Sequence, residues 1–285
     1  MSFFRLSLNF RVHLRNVVAG CFALLLAAPF CAAANPSARR SPWVATWGAA
    51  MVATASGSEP DISGKTLRLI VHTSVSGQQA RVWLSNRFGS EPLHIGAAHV
   101  ALSASGSAIQ QSSDRTLTFN HMGSVVIPPG AAIVSDPVTL NIPALSDLAV
   151  SIYFPDHTLA TTEHSSAQQI SYAATGDVVG AADLTGKSWE ERSWYVLSGV
   201  DVYAPGDSAV IAFGDSITDG AYATENENHR WPDYLAARLA SDAGAQKAGV
   251  LGVVNVGIGG NRVLLDGYGP NAVSRVDWDV LARSG

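Results

Sequence analysis

Ser216 and Gly260 are the residues of this sequence best placed to do chemistry. Ser216 follows directly on the apolar run Ser208-Ala209-Val210-Ile211-Ala212-Phe213, and Gly260 closes the glycine-rich stretch after a second such run, Gly249 to Val256. In open α/β sheets, ligands bind beyond the carboxyl ends of the strands, which is where both residues fall. A serine there is a candidate nucleophile if a histidine removes its proton and backbone N–H groups receive the developing oxyanion. Glycine at 260 suits the second task, because without a Cβ a substrate oxygen approaches the amide closely. The tripeptide Gly214-Asp215-Ser216 taken alone is better explained as ordinary turn chemistry after a strand.

Other chemistries fit less well. Gly257 to Gly260 lacks the Gly-x-Gly-x-x-Gly spacing of a dinucleotide site, and no Gly-x-x-x-x-Gly-Lys-Ser/Thr phosphate loop occurs. His94 and His99 lie five apart on expected strands without a His-Glu-x-x-His pattern or a cysteine partner, so they read as strand residues and no metal site is expected. Local stand-ins would be His229 with Asp266, Asp277 or Asp279, which follow Gly260, but His229, beside Asn226, Glu227 and Asn228, reads as a solvated loop residue rather than a working base. Trp83, Trp189, Trp194 and Tyr195 fit either core packing or a sugar-binding face, core packing being favoured by the apolar area that aromatics bury. No cofactor is expected.

The elements that must hold Ser216 and Gly260 divide the chain near residue 205. From Trp43 to about Tyr203 the sequence reads as short strands, including Thr66 to Thr73, Arg81 to Ser85, His99 to Leu102, Ser124 to Ile127, Val138 to Leu140, Leu148 to Phe154 and Trp194 to Val202. Pro128-Pro129-Gly130, Asp136-Pro137 and Gly186 punctuate them. Short strands at this spacing predict an antiparallel all-β sandwich over residues 41–204. Beyond Ala204-Pro205-Gly206 the character changes. The two apolar runs read as strands buried on both faces of a parallel sheet, and Trp231 to Ala243 reads as a helix with Pro232 in its first turn and Leu235 and Leu239 on one face. Strand, loop, helix and strand make the opening βαβ unit of an α/β domain over 205–285.

Longer blocks around these residues point to a family. Ile211 to Gly220 (IAFGDSITDG) closely resembles the first signature block of the GDSL/SGNH hydrolase superfamily, and Asn255 to Arg262 (NVGIGGNR) resembles its second. Arg230-Trp231-Pro232-Asp233 resembles the family's usual opening of the first helix. Trp43 to Trp47, Ser85 to Gly89, Ser135 to Val138 and Ser198 to Val202 resemble the β-rich leader of a bacterial secreted subgroup. The resemblance implies a three-layer, flavodoxin-like parallel sheet, Ser216 as nucleophile and oxyanion amide, and Gly260 as a second oxyanion amide. It also implies an Asn in a Gly-x-Asn-Asp block and an Asp-x-x-His pair. No Asn here is followed by Asp, no Asp is followed three positions later by His, and no histidine follows Gly260. The expectation is a C-terminally truncated hydrolase domain whose nucleophile lacks its base.

The N-terminus and overall charge set the setting. Arg5, Arg11 and Arg15 precede the apolar run Val17 to Phe30 and the small residues Ala32-Ala33-Ala34. This order predicts a cleaved signal peptide over 1–34, rather than a ~20-residue membrane span, and a secreted or periplasmic product. Most of the apolar run follows Cys21, which argues against a lipoprotein box. Both cysteines, Cys21 and Cys31, fall in the removed segment, leaving no thiol chemistry. Three arginines and no acids leave with it from a chain of formal charge −5, so the product is acidic and a poor nucleic-acid ligand. The expected function is ester hydrolysis through an acyl-enzyme, on a small-molecule or carbohydrate ester, with no stable membrane span after signal cleavage. The alternative is a carbohydrate- or surface-binding sandwich that carries a catalytic remnant.

Overall fold

The computed structural model describes residues 41–184 and 188–285, and the expected signal peptide lies outside them. The fold is strand-rich. One antiparallel sheet of five strands centres on Gly77–Ser85, flanked by Leu197–Tyr203 and then Trp43–Gly48 on one side and by Ala132–Val134 and Val138–Ile142 on the other. A second sheet of seven strands centres on Lys65–His72 and Asp147–Phe154, with Ala97–Ser105 beyond the latter and Ser171–Thr175 beyond the former. Smaller sheets join Val52–Ala53, Thr162–His164 and Trp194–Tyr195, and Leu93–Ile95 with Val125–Ile127.

Leu67, Leu69 and Val71 from the larger sheet and Val82, Leu84, Val200 and Val202 from the smaller one enter a single apolar core. The alternation expected of Thr66 to Thr73 holds on that face. The opposite face is also covered, because Arg68 is fully buried. Its guanidinium donates to Ser151 Oγ (2.9 Å) and to the carbonyls of Ser107 (2.6 Å), Val179 (3.1 Å) and Ala181 (2.7 Å). These acceptors replace water around the charge, and Ile70, Ala101, Ile109 and Ala149 form a small second core beside them. The expected strand Trp194 to Val202 is interrupted at Val196, whose φ of 55° breaks the ladder and starts a new strand at Leu197.

Ser208–Gly214 and Val250–Gly257 pair in parallel, in register from Ala209↔Gly252 to Gly214↔Gly257. Between them the helix Trp231–Ser241 starts with Pro232 in its first turn, and the Arg230 amide donates to the Asp233 carboxylate (2.9 Å). It stops two residues before the expected end. Asp242 turns extended and its side chain accepts from the Ala245 amide (2.7 Å), capping a separate short helix, Ala243–Ala248.

Two isolated apolar strands would be an unprotected sheet, and the sequence suggests that residues 206–285 lack cover. The structure supplies that cover from the β-rich part. Ala45, Ala50 and Val52 form one core with Val254, Val256 and Ile258. Ser74 Oγ accepts from the Val253 amide (2.9 Å), and the Ala45 amide donates to the Ser284 carbonyl (2.9 Å). Arg283 donates to the carbonyls of Ser198 (2.7 Å) and Ala49 (3.0 Å). Residues Arg40–Gly285 form one compact unit. No helix among the described residues is long and apolar enough to cross a membrane.

Candidate active site

Ser216 is the first residue of a one-turn helix, Ser216–Asp219, which begins two residues after the strand ending at Gly214. Asp215 caps this turn, its carboxylate accepting from the Ile217 amide (3.0 Å). Gly220, at φ 93°, ends it in the left-handed conformation, with its amide donating to the Ser216 carbonyl (3.1 Å). As the first helical residue, Ser216 has an amide with no intrahelical partner, the state an oxyanion donor requires. The serine itself is half-buried.

Asn255 in the neighbouring strand holds the turn from the side. Its Nδ2 donates to the Thr218 carbonyl (2.7 Å) and its Oδ1 accepts from the Gly257 amide (3.0 Å). Gly257 lies directly against the backbone of Asp219, where a Cβ would collide with the Asp219 amide. Gly260 is three residues further on, at φ 67°, with the Tyr268 ring at 2.7 Å from where a Cβ would stand. The structure therefore gives glycine two reasons at 260 besides substrate approach. Among the described residues, the Gly260 amide donates to no other group.

Sequence reasoning passed over two residues that organise this end of the sheet. Arg275 is almost fully buried and spans both strands: Nη2 donates to the Gly214 carbonyl (2.9 Å) and Nη1 to the Val256 carbonyl (2.7 Å). It also donates to Asn261 Oδ1, next to Gly260, from Nη2 (2.9 Å) and Nε (3.1 Å), and pairs with Asp279 (3.0 Å). Its guanidinium lies 4.0 Å from the Phe213 ring centroid. Burial lowers its pKa from the ordinary arginine value, and the hydrogen bond and charge of Asp279 work the other way.

His164 is the second. It is buried at the end of the Thr162–His164 strand, with Nδ1 2.9 Å from the Ala50 carbonyl and Nε2 3.0 Å from Asp219 Oδ1. Its ring stacks on Trp194, with centroids 5.5 Å apart. Burial opposes its charged form, but the charge of Asp219, the hydrogen bond to it and the bond to Ala50 together raise its pKa above the ordinary value. Neither residue carries a local motif. Arg275 sits in an unremarkable Ser-Arg-Val and His164 in a strand far upstream of Ser216, so only the folded arrangement exposes them.

His229 is exposed and stacks on Tyr234 (5.6 Å between centroids), and no hydrogen bond joins it to Ser216 among the described residues. Asp266 accepts from the Asn271 amide and side chain (both 2.8 Å), bonds that hold its pKa below the usual carboxylate value. Asp277 is exposed and Asp279 is buried against Arg275. His94 faces Asp156 (2.7 Å) and His99 faces Asp114 (2.9 Å) on different sheets. Trp194 and Tyr195 are core residues, whereas Trp189 is 40% exposed beneath Lys65.

A cleft of about 870 Å³ opens beside these elements. Phe88, Glu163 and His164 of the β-rich part line one side, and Asp219, Gly260 and Tyr268 of the C-terminal part line the other. Burial raises the pKa of Glu163, against hydrogen bonds from Ser193 and Thr54 and the charge of His164.

The model of the family described as GDSL-like Lipase/Acylhydrolase matches residues 210–284, a stretch that contains Ser216 and Gly260. Residues 210–284 are thus similar to a GDSL-like lipase/acylhydrolase domain, which supports ester hydrolysis as the class of chemistry. No curated protein matched the chain.

Proposed function

We propose that this chain is a secreted or periplasmic serine ester hydrolase in which Ser216 is the nucleophile. The observation that carries the reading is a capped turn presenting Ser216 at the carboxyl end of its strand, with the amide of Gly260 unengaged on the adjacent loop. Ser216 Oγ attacks the ester carbonyl carbon, the resulting oxyanion is received by the Ser216 and Gly260 amides, and the alcohol leaves as the acyl-enzyme forms. Water then releases the acid. The all-β sandwich of residues 41–204 walls one side of the neighbouring cleft, whose lining includes Gly260 and Asp219 but not Ser216, and a small-molecule or carbohydrate ester reaches the serine from it.

The attack needs a base. His164 has both ring nitrogens engaged and His229 has no hydrogen bond to Ser216, so neither takes that role here. The 285-residue chain by itself should therefore hydrolyse p-nitrophenyl acetate negligibly, since loss of the base costs on the order of 10⁶ in turnover in a serine hydrolase. The same chain joined to a segment carrying Gly-x-Asn-Asp and Asp-x-x-His blocks should gain activity that Ser216→Ala removes. Activity that persists in Ser216→Ala would overturn the assignment.

A further inference from the structure

His164 presents two ring nitrogens to two acceptors. The Ala50 carbonyl cannot donate, so Nδ1 must carry a proton. At 3.0 Å from Asp219 Oδ1, a second proton must lie between Nε2 and the carboxylate, or two lone pairs would face each other. Imidazole is the stronger base of the two, so that proton belongs on nitrogen. The pair is thus an imidazolium facing a carboxylate, with side chains only 7% and 12% exposed.

Asp219 is the last residue of the turn that Ser216 begins, and its amide donates to the Asp215 carbonyl (2.9 Å). We infer that His164 is a positioning residue for Ser216: a buried imidazolium contributed by the β-rich part, which fixes the Asp219 carboxylate and through it the turn carrying the serine. This rests on the reading of Ser216 as nucleophile. It makes the sandwich a working part of the site and makes the order of the nucleophile turn depend on pH.

The other ionisable groups near the ring leave Asp219 as its direct partner. Arg230 lies 5.8 Å from the centroid of the Trp194 ring on which His164 also stacks, and is paired with Asp233 (3.2 Å). Glu163 precedes it on the same strand, and His72, which lines a small pocket with it, pairs with Asp147 (2.7 Å). Arg230 disfavours the imidazolium, so its charge works against Asp219.

The test uses the full 285-residue chain. Nitrogen-15 NMR of the histidines at pH 6 should show His164 with both nitrogens protonated. Hydrogen exchange of the Asp219, Gly220 and Ala221 amides, corrected for intrinsic base catalysis, should be slow at pH 6 and rise once His164 deprotonates. In His164→Gln the same amides should exchange on the order of tenfold faster or more at pH 6, the size of a lost charged hydrogen bond, and show no such pH step. Amides of the core strand Lys65–His72 should not change. A neutral, single-tautomer His164 at pH 6 would overturn the inference, as would equal acceleration in the turn and the core strand. Should His164→Gln fail to fold, the spectrum and the pH step of the wild-type chain decide alone. None of these readouts involves an ester, so loss of the nucleophile assignment would leave them standing and appear only as Ser216-independent activity.

Discussion

Arg275 donates from Nη2 to the carbonyl of Gly214, two residues before Ser216, at 2.9 Å. The same guanidinium reaches the Val256 carbonyl and Asn261, so one side chain ties both strand ends to the loop that carries Gly260. Arg275→Met would leave the buried Asp279 with only the longer contact to Arg283 (3.8 Å) and would remove the guanidinium donor from the Gly214 and Val256 carbonyls and from Asn261. A loss of about 3–5 kcal/mol is expected, because removing one partner of a buried pair costs that much. Urea unfolding monitored by tryptophan fluorescence measures it. Arg275→Lys should recover only part of the loss, since an ammonium cannot span the fork of acceptors.

Gly260→Ala tests the loop itself. At φ 67° an alanine is strained by roughly 1–2 kcal/mol. The clash with Tyr268 adds little, because that ring is 84% exposed and free to swing aside. A melting-temperature loss that persists in the Gly260→Ala, Tyr268→Ala double variant would locate the cost in the backbone. Full recovery in the double variant would place it in the ring contact.

Stability should fall as pH rises above neutrality. His164 has a folded pKa above the unfolded value of about 6.5. Its contribution is therefore complete below that pH and lost as pH climbs through the folded value. Glu163, also raised, acts in the same direction from lower pH. Comparing wild type with His164→Gln isolates the histidine: the stability gap should be widest near pH 6 and close toward pH 9 in urea titrations. A gap independent of pH would mean that folding leaves the His164 pKa unshifted, and a gap that widens as pH rises would mean that the buried ring is neutral; either contradicts the imidazolium.

The two parts of the chain should unfold together. Arg283 donates to the carbonyls of Ser198 and Ala49, and the Val253 amide donates to Ser74 Oγ, so neither region opens without breaking buried or partly buried hydrogen bonds to the other. A single calorimetric transition is expected, with strands Lys65–His72 and Val250–Gly257 reaching similar exchange protection. Two resolved transitions would contradict this.

Much of this arrangement was legible in the sequence, for identifiable reasons. The strands through Leu67, Val82 and Val150 announce themselves by alternation, and those through Ile211 and Val254 by unbroken apolar runs. Pro232 marks the start of its helix, and Gly214 to Gly220 marks the turn that carries Ser216. What stayed hidden is long-range and polar. Nothing in the local sequence of Arg68 or Arg275 distinguishes a buried guanidinium from a solvated one, and His164 gains its meaning only where its strand meets Asp219. The cover that Ala45, Ala50 and Val52 give the parallel pair was hidden for the same reason, since periodicity shows which face is apolar and not what will meet it.

The central claim, that Ser216 is the nucleophile, is tested most directly by asking which serine becomes acylated. The 285-residue chain would be incubated with p-nitrophenyl acetate and excess imidazole as an external base, then digested and mapped by mass spectrometry. Acetyl-Ser216 should accumulate well above acetylation of other exposed or half-buried serines, because the turn leaves its amide and that of Gly260 open to an oxyanion. Acetylation at Ser216 no greater than at those other serines would contradict the account.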